Sequence, residues 1–179
     1  MCIRDRNSID AGATKVLIQA ANGGKREIVV SDNGSGLKRD DLLLALERHA
    51  TSKIATVQDL FTIRTLGFRG EALPSIASVS HFEIKSCFQE DMVGHAVRAV
   101  GGVIKDVQET SVSSGTTVTV SRLFYNTPAR LKFLKSISTE LDHIMAVIIR
   151  VALGHPTIHF RFHHNGKEIF DFPPTLDLE

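Results

Sequence analysis

Hydrophobic and polar positions change period several times along the chain. Residues 15–20 alternate loosely, and Glu27 to Asp32 is β-branched and mostly apolar. With two glycines in the 21–25 turn between them, these stretches predict a β-hairpin. Ahead of it, Gly12 suits the end of a short helical piece near residues 10–12. Residues 39–50 place Leu42, Leu43, Leu46 and Ala50 at helical spacing with charges on the other face, which predicts a helix. Residues 51–70 give mixed signals. Residues 71–79 predict a helix with Pro74 in its first turn. From His81 onward the pattern predicts strands at 82–87, 96–100, 103–108 and 116–121, the last with the period-two alternation of a half-buried strand. Residues 125–130 read as a loop. Residues 138–153 form the clearest helix. Thr139 is its expected cap, Asp142 stands in capping-box spacing, and Leu141, Ile144, Met145, Ile148, Val151 and Ala152 form one apolar face. Gly154 and Pro156 stop it. Strands at 157–162 and 168–172 flank the hairpin signal Asn165-Gly166. Strands mixed with helices, without regular βαβ alternation, predict an α+β two-layer sandwich.

Composition narrows the class. The chain has 179 residues, 42% hydrophobic and 23% charged, which fits one globular domain and argues against disorder or a disulfide scaffold. Twenty-one basic residues against 20 acidic give a net charge of +1, so total charge does not point to nucleic acid or membrane. A local patch remains open: Arg130, Lys132 and Lys135 can meet DNA phosphates or form a solvated face. Cys2 and Cys87 fit no metal or redox spacing, which favours a reduced, intracellular compartment. No apolar run is long enough for a bilayer, and residues 1–6 lack the apolar stretch of a signal peptide. The eight histidines offer no usable zinc spacing.

Two glycine clusters carry the candidate chemistry. Asp32-Asn33-Gly34-Ser35-Gly36 follows a strand directly. The dinucleotide fingerprint fails, because Arg39 stands where its third glycine belongs, and there is no P-loop. The plain reading is a tight turn. The chemical reading is a base pocket: a strand-end carboxylate accepts from an exocyclic amine, and glycines admit a flat base to the backbone. The second cluster, Gly67-Phe68-Arg69-Gly70-Glu71-Ala72-Leu73, runs into a predicted helix start. It reads either as a capped surface loop or as a phosphate site of backbone N–H groups with Arg69 beside them.

Taken in order, several runs resemble the ATP-site motifs of the MutL mismatch-repair family, within the gyrase, Hsp90, histidine-kinase and MutL superfamily. They are Asn7-Ser8-Ile9-Asp10-Ala11-Gly12-Ala13-Thr14, the Asp32 cluster, His49-Ala50-Thr51-Ser52-Lys53 and the Gly67 cluster. Leu123-Phe124-Tyr125-Asn126-Thr127-Pro128-Ala129-Arg130 with Lys132-Phe133-Leu134 is similar to the same family. The resemblance implies a Bergerat ATP-binding sandwich, a mixed β-sheet with helices on one face. It implies ATP and Mg²⁺ as ligands. Asn7 would coordinate Mg²⁺ through the phosphates, Asp32 would bind the adenine amine, and Gly36 would shape that pocket. Thr117 would support the base through Asp32 or a water. Thr51, Ser52 and Lys53 would lie in the ATP lid, and Gly67, Phe68, Arg69 and Gly70 would wrap the phosphates.

The family's general-base Glu falls four residues before Asn7, at Ile3, so no catalytic residue is identified. The resemblance thus divides the chain into a non-matching start at 1–6, expected to be artefactual, an N-terminally truncated ATP-binding domain at 7–172, and a linker from 173 toward a second domain. It implies a homodimer or MutL-type heterodimer closed by ATP, a MutS-type mismatch sensor as partner, and DNA contact through the full-length protein, with no membrane. The expected compartment is bacterial cytoplasm, or the nucleus in a eukaryote. A nucleotide-binding and dimerisation module without hydrolysis stands as the alternative, because Ile cannot take a proton from water.

Overall fold

The computed structural model describes residues 7–47 and 71–175. After the helical residues 7–10, the chain forms β1 (Lys15–Ala21), β2 (Glu27–Asp32), α1 (Arg39–Leu44), α2 (Ala72–Ala77), β3 (His81–Cys87), β4 (Gly94–Val100), β5 (Val103–Thr110), β6 (Gly115–Ser121), α3 (Pro128–Lys132), α4 (Ile137–Gly154), β7 (His159–His164) and β8 (Lys167–Phe172). The eight strands make one sheet in the order β5-β4-β3-β6-β2-β1-β7-β8. It is mixed: β1 pairs with β7 in parallel, and the other neighbours pair antiparallel.

Register decides which side chains are inward, because residues directly opposite one another share a face. Ile84, Val118, Val30, Ile18 and Phe162 form one unbroken apolar row across five strands. Phe82, Val120, Ile28 and Ala20 form the next. On this face α4 packs Ile144 and Ile148 against β1 and β7, while Leu42 of α1 and Ala77 of α2 pack against β3, β4 and β6. These three helices, α1, α2 and α4, therefore cover one face, as the two-layer reading expects. The core divides into two clusters that meet between β2 and β6, with Val30 in one and Val118 in the other. The opposite face is polar. Glu83 lies 2.5 Å from Arg98 Nε and 2.9 Å from Lys85 Nζ, and Arg161 lies 2.6 Å from Glu168.

Three expectations need correction. The helix at 138–153 begins at Ile137, and its cap is Ser136 rather than Thr139. The Ser136 hydroxyl accepts from Thr139 N at 3.2 Å, so Thr139 supplies the capped N–H. Residues 128–130 of the loop expected at 125–130 belong to α3 (Pro128–Lys132), a short helix whose Pro128 takes the first position, where a missing N–H costs nothing. The helix expected at 39–50 runs over Arg39–Leu44 and gives way to turns at Ala45 and Leu46, with residues 48–50 outside the described part.

Candidate nucleotide-binding site

At one end of β2 and β6 the helix-facing rows stop being apolar. The row beyond Ile84–Val118–Val30 reads Ser86, Thr116, Asp32 across three neighbouring strands. Polar groups on a buried face need partners, and most of these come from the flanking loops. The Ser8 hydroxyl donates to Asp32 Oδ2 at 2.7 Å, and Gly34 N donates to Asp32 Oδ1 at 3.0 Å. Ser8 follows Asn7 in the helical turn 7–10, so the same bond brings Asn7 to the Asp32 end of the sheet. Asn33 holds the loop to the start of β1. Its Oδ1 accepts from Thr14 N at 2.9 Å and Lys15 N at 2.7 Å, and its Nδ2 donates to Thr14 Oγ1 at 2.8 Å.

The glycines of this loop are demanded by the protein's own backbone. Gly36 has φ +71°, and a Cβ there would collide with the Cys87 carbonyl at the end of β3. A Cβ on Gly34 would come within 2.8 Å of Ala11, in the turn that follows the Asn7 helix. Gly36 shapes the pocket by letting β3 and the loop close on one another. The pattern draws Asn7, Asp32 and the ends of β3 and β6 to one place.

Thr117 does not belong to this group. It stands opposite Ser31, on the other face of the sheet from Asp32, and the two hydroxyls lie 3.0 Å apart. Thr116 is the residue opposite Asp32. Ser8 and Ser86 were not singled out by sequence reasoning. They are two of the three buried polar residues among the described residues, at 3% and 0% exposure; Ser86 stands in this row and Ser8 bonds to it. Ile3, Thr51, Ser52, Lys53, Gly67, Phe68, Arg69 and Gly70 lie outside the described residues.

Chemically the row offers oxygen acceptors at the mouth of a glycine loop. This suits an exocyclic amine, and an Asn amide oxygen on the adjoining turn suits a hard cation. Among the described residues no three His, Cys, Asp or Glu side chains gather as metal ligands. Among the described residues no helix is long and apolar enough to cross a membrane.

Comparison with known proteins agrees with this geometry. Residues 5–122 match the family described as histidine kinase-, DNA gyrase B-, and HSP90-like ATPase. The chain is 51% identical to the DNA mismatch repair protein MutL of Trichlorobacter lovleyi over 94% of its own length and 28% of that protein. It is 50% identical to that of Syntrophobacter fumaroxidans over 97% of its length and 26% of that protein. It thus spans about a quarter of the length of the curated relatives it matches. The fold superposes on the Aquifex aeolicus MutL ATPase domain complexed with ADP with a TM-score of 0.75, at 31% identity, covering 94% of this chain and 60% of that one. The acceptor row, the glycine loop and these matches together show that the chain belongs to the histidine kinase-, DNA gyrase B- and HSP90-like ATPase family, in its MutL branch.

Proposed function

We propose that this chain binds ATP with Mg²⁺ and hydrolyses it as the motor part of a mismatch-repair protein. The observation that carries this reading is the Ser86–Thr116–Asp32 row, a polar end on an otherwise apolar sheet face, tied by Ser8 to the turn that bears Asn7. Asp32 accepts a hydrogen bond from the adenine amine. Thr116, opposite it, takes the supporting place that the family pattern suggested for Thr117. Asn7 holds Mg²⁺ through its amide oxygen, and the ion offsets phosphate charge when bound. By resemblance, Thr51, Ser52 and Lys53 close over the phosphates, and the N–H groups of Gly67 to Gly70 receive them. In the whole protein, ATP binding closes a dimer clamp and hydrolysis reopens it, passing a signal from a MutS-type mismatch sensor to strand excision. DNA contact fits the segment 122–137, which carries Arg122, Arg130, Lys132 and Lys135 and no acidic residue, with Phe133 79% exposed.

A second reading follows from one residue. Ile3 stands at the family's general-base position, so the chain as given binds nucleotide and dimerises without turnover. Titration calorimetry with Mg²⁺ and a non-hydrolysable ATP analogue tests what both readings share. The expected result is saturable one-site binding that weakens without Mg²⁺. No binding by the folded chain overturns both. Ile3→Glu then separates them: a rise in phosphate release supports the enzyme, and intact binding with unchanged zero turnover supports the module.

A further inference from the structure

The turn that bears Asn7 and the loop that begins at Asp32 are joined through a side-chain bond. Ser8 Oγ lies 2.7 Å from Asp32 Oδ2, and a carboxylate only accepts, so the serine proton points at Asp32. A bond to an ionised acceptor is about twice as strong as a neutral one. Ser8 is 3% exposed, which shields the bond from water. Gly34 N donates to the other oxygen, Oδ1, at 3.0 Å. A carboxylate oxygen has more than one acceptor site, so Oδ2 can hold Ser8 and a second donor together. The footing at the far end of the turn is separate. Ser35 N donates to Ala11 O at 2.9 Å, and Ala11 fits closely against Gly34, where a Cβ would come within 2.8 Å of it. Ile9 packs against the core. Loss of the Ser8 hydroxyl therefore leaves Ile9 and Ala11 in place and loosens the end of the turn that bears Asn7.

We infer that Ser8 is a positioning residue that couples the two halves of the site, the cation end at Asn7 and the base end at Asp32. The inference rests on the nucleotide reading above and deepens it. With the bond made, a ligand that orders Asp32 also orders Asn7, and the entropy of fixing the turn is lost once for both contacts. Coupling of this kind is reciprocal, so a cation held at Asn7 steadies the Asp32 carboxylate in turn. Without the hydroxyl each contact has to order its own residue, and the two ends bind as separate sites.

The test is the Mg²⁺ enhancement of binding. This is the dissociation constant of a non-hydrolysable ATP analogue without Mg²⁺ divided by that with it, measured by calorimetry on this chain. In wild type the ratio exceeds one. Ser8→Ala brings it down toward one, by about fivefold, the lower end of ordinary coupling between sites. A merely structural role weakens binding in equal proportion with and without Mg²⁺, and that unchanged ratio overturns the inference. If Ser8→Ala does not fold, Ser8→Cys reads the same quantity, since a thiol nearly fills the site but is a weak donor. A Ser8→Cys ratio equal to wild type overturns the inference too. Failure of the underlying reading shows in wild type, before any variant is compared. Wild type that binds the analogue equally with and without Mg²⁺ overturns the role of Asn7 and the inference with it. Wild type that does not bind the analogue overturns the nucleotide reading itself.

Discussion

Asp32 carries two separable loads, and substitution to asparagine parts them. Its Oδ1 accepts from Gly34 N and its Oδ2 from Ser8 Oγ. Asparagine keeps the carbonyl oxygen for Gly34. It puts an NH₂ toward Ser8, whose hydroxyl can turn and accept. The loop survives, but on the proposed reading the acceptor for the adenine amine has become a donor. Asp32→Asn should therefore lower ATP affinity at least about tenfold while the thermal midpoint moves by no more than about 4 °C. Calorimetry and a melting curve on one sample check both halves, and loss of folding would mark Asp32 as a structural turn carboxylate. The turn after Asp32 and its glycines Gly34 and Gly36 were legible in the sequence because each answers to a fixed backbone demand. Gly36 shows this well, since no Cβ fits against Cys87. Thr117 was misplaced although its own stretch held the signal. Val118 and Val120 are buried, and period-two counting from them puts Thr116 inward and Thr117 outward. Period-two counting from Phe82 and Ile84 puts Ser86 inward in the same way, whereas Ser8 was not legible, because a serine in a short helical turn looks the same whether it is buried or washed by solvent.

At the scale of elements, alternation and periodicity located the strands within a residue or two, since one face of each must meet the core. The termini were harder, because a cap depends on one local hydrogen bond. Several hydroxyls compete at the start of α4. Ser136 Oγ takes Thr139 N and also meets the hydroxyls of Ser138 and Thr139 at 2.9 and 2.8 Å. Glu140 completes the arrangement by accepting from Lys135 N at 2.8 Å, so its carboxylate reaches back past the cap. The sequence offered Thr139 and Asp142 as an equally good box, one turn too late. Two substitutions separate the assignments. Ser136→Ala should cost about 1 kcal/mol in urea denaturation, the usual loss for a cap. Thr139→Ala should cost less than about 0.5 kcal/mol, because the capped N–H belongs to the backbone and survives. Equal costs would mean that the hydroxyl cluster acts as a unit. The short helix α3 escaped notice for a related reason. Five residues show no period, and α3 buries none of them.

For the molecule as a whole, among the described residues, α1, α2 and α4 cover one face, and the other face carries cross-strand polar contacts. Glu83 is central to that face. It sits on β3 directly opposite Arg98 of β4, and its side chain is 20% exposed. Burial pushes its carboxyl up, but hydrogen bonds and charge from Arg98 and Lys85 outweigh this and hold it below its ordinary value. A carboxyl whose titration is depressed by folding contributes stability at pH values above its unfolded titration, and that contribution disappears as pH falls through the folded one. Glu83→Gln removes the charge at every pH. The variant should therefore be less stable than wild type by about 1 kcal/mol at pH 7, the scale of a partly exposed ion pair. The gap should close in acid, where wild-type Glu83 is itself protonated. Urea midpoints for the two proteins, taken from neutral pH into the acid limb below the ordinary glutamate range, give the answer. A gap that persists unchanged to the lowest pH would assign the loss to altered packing on β3 and not to the ion pairs that stiffen the open face.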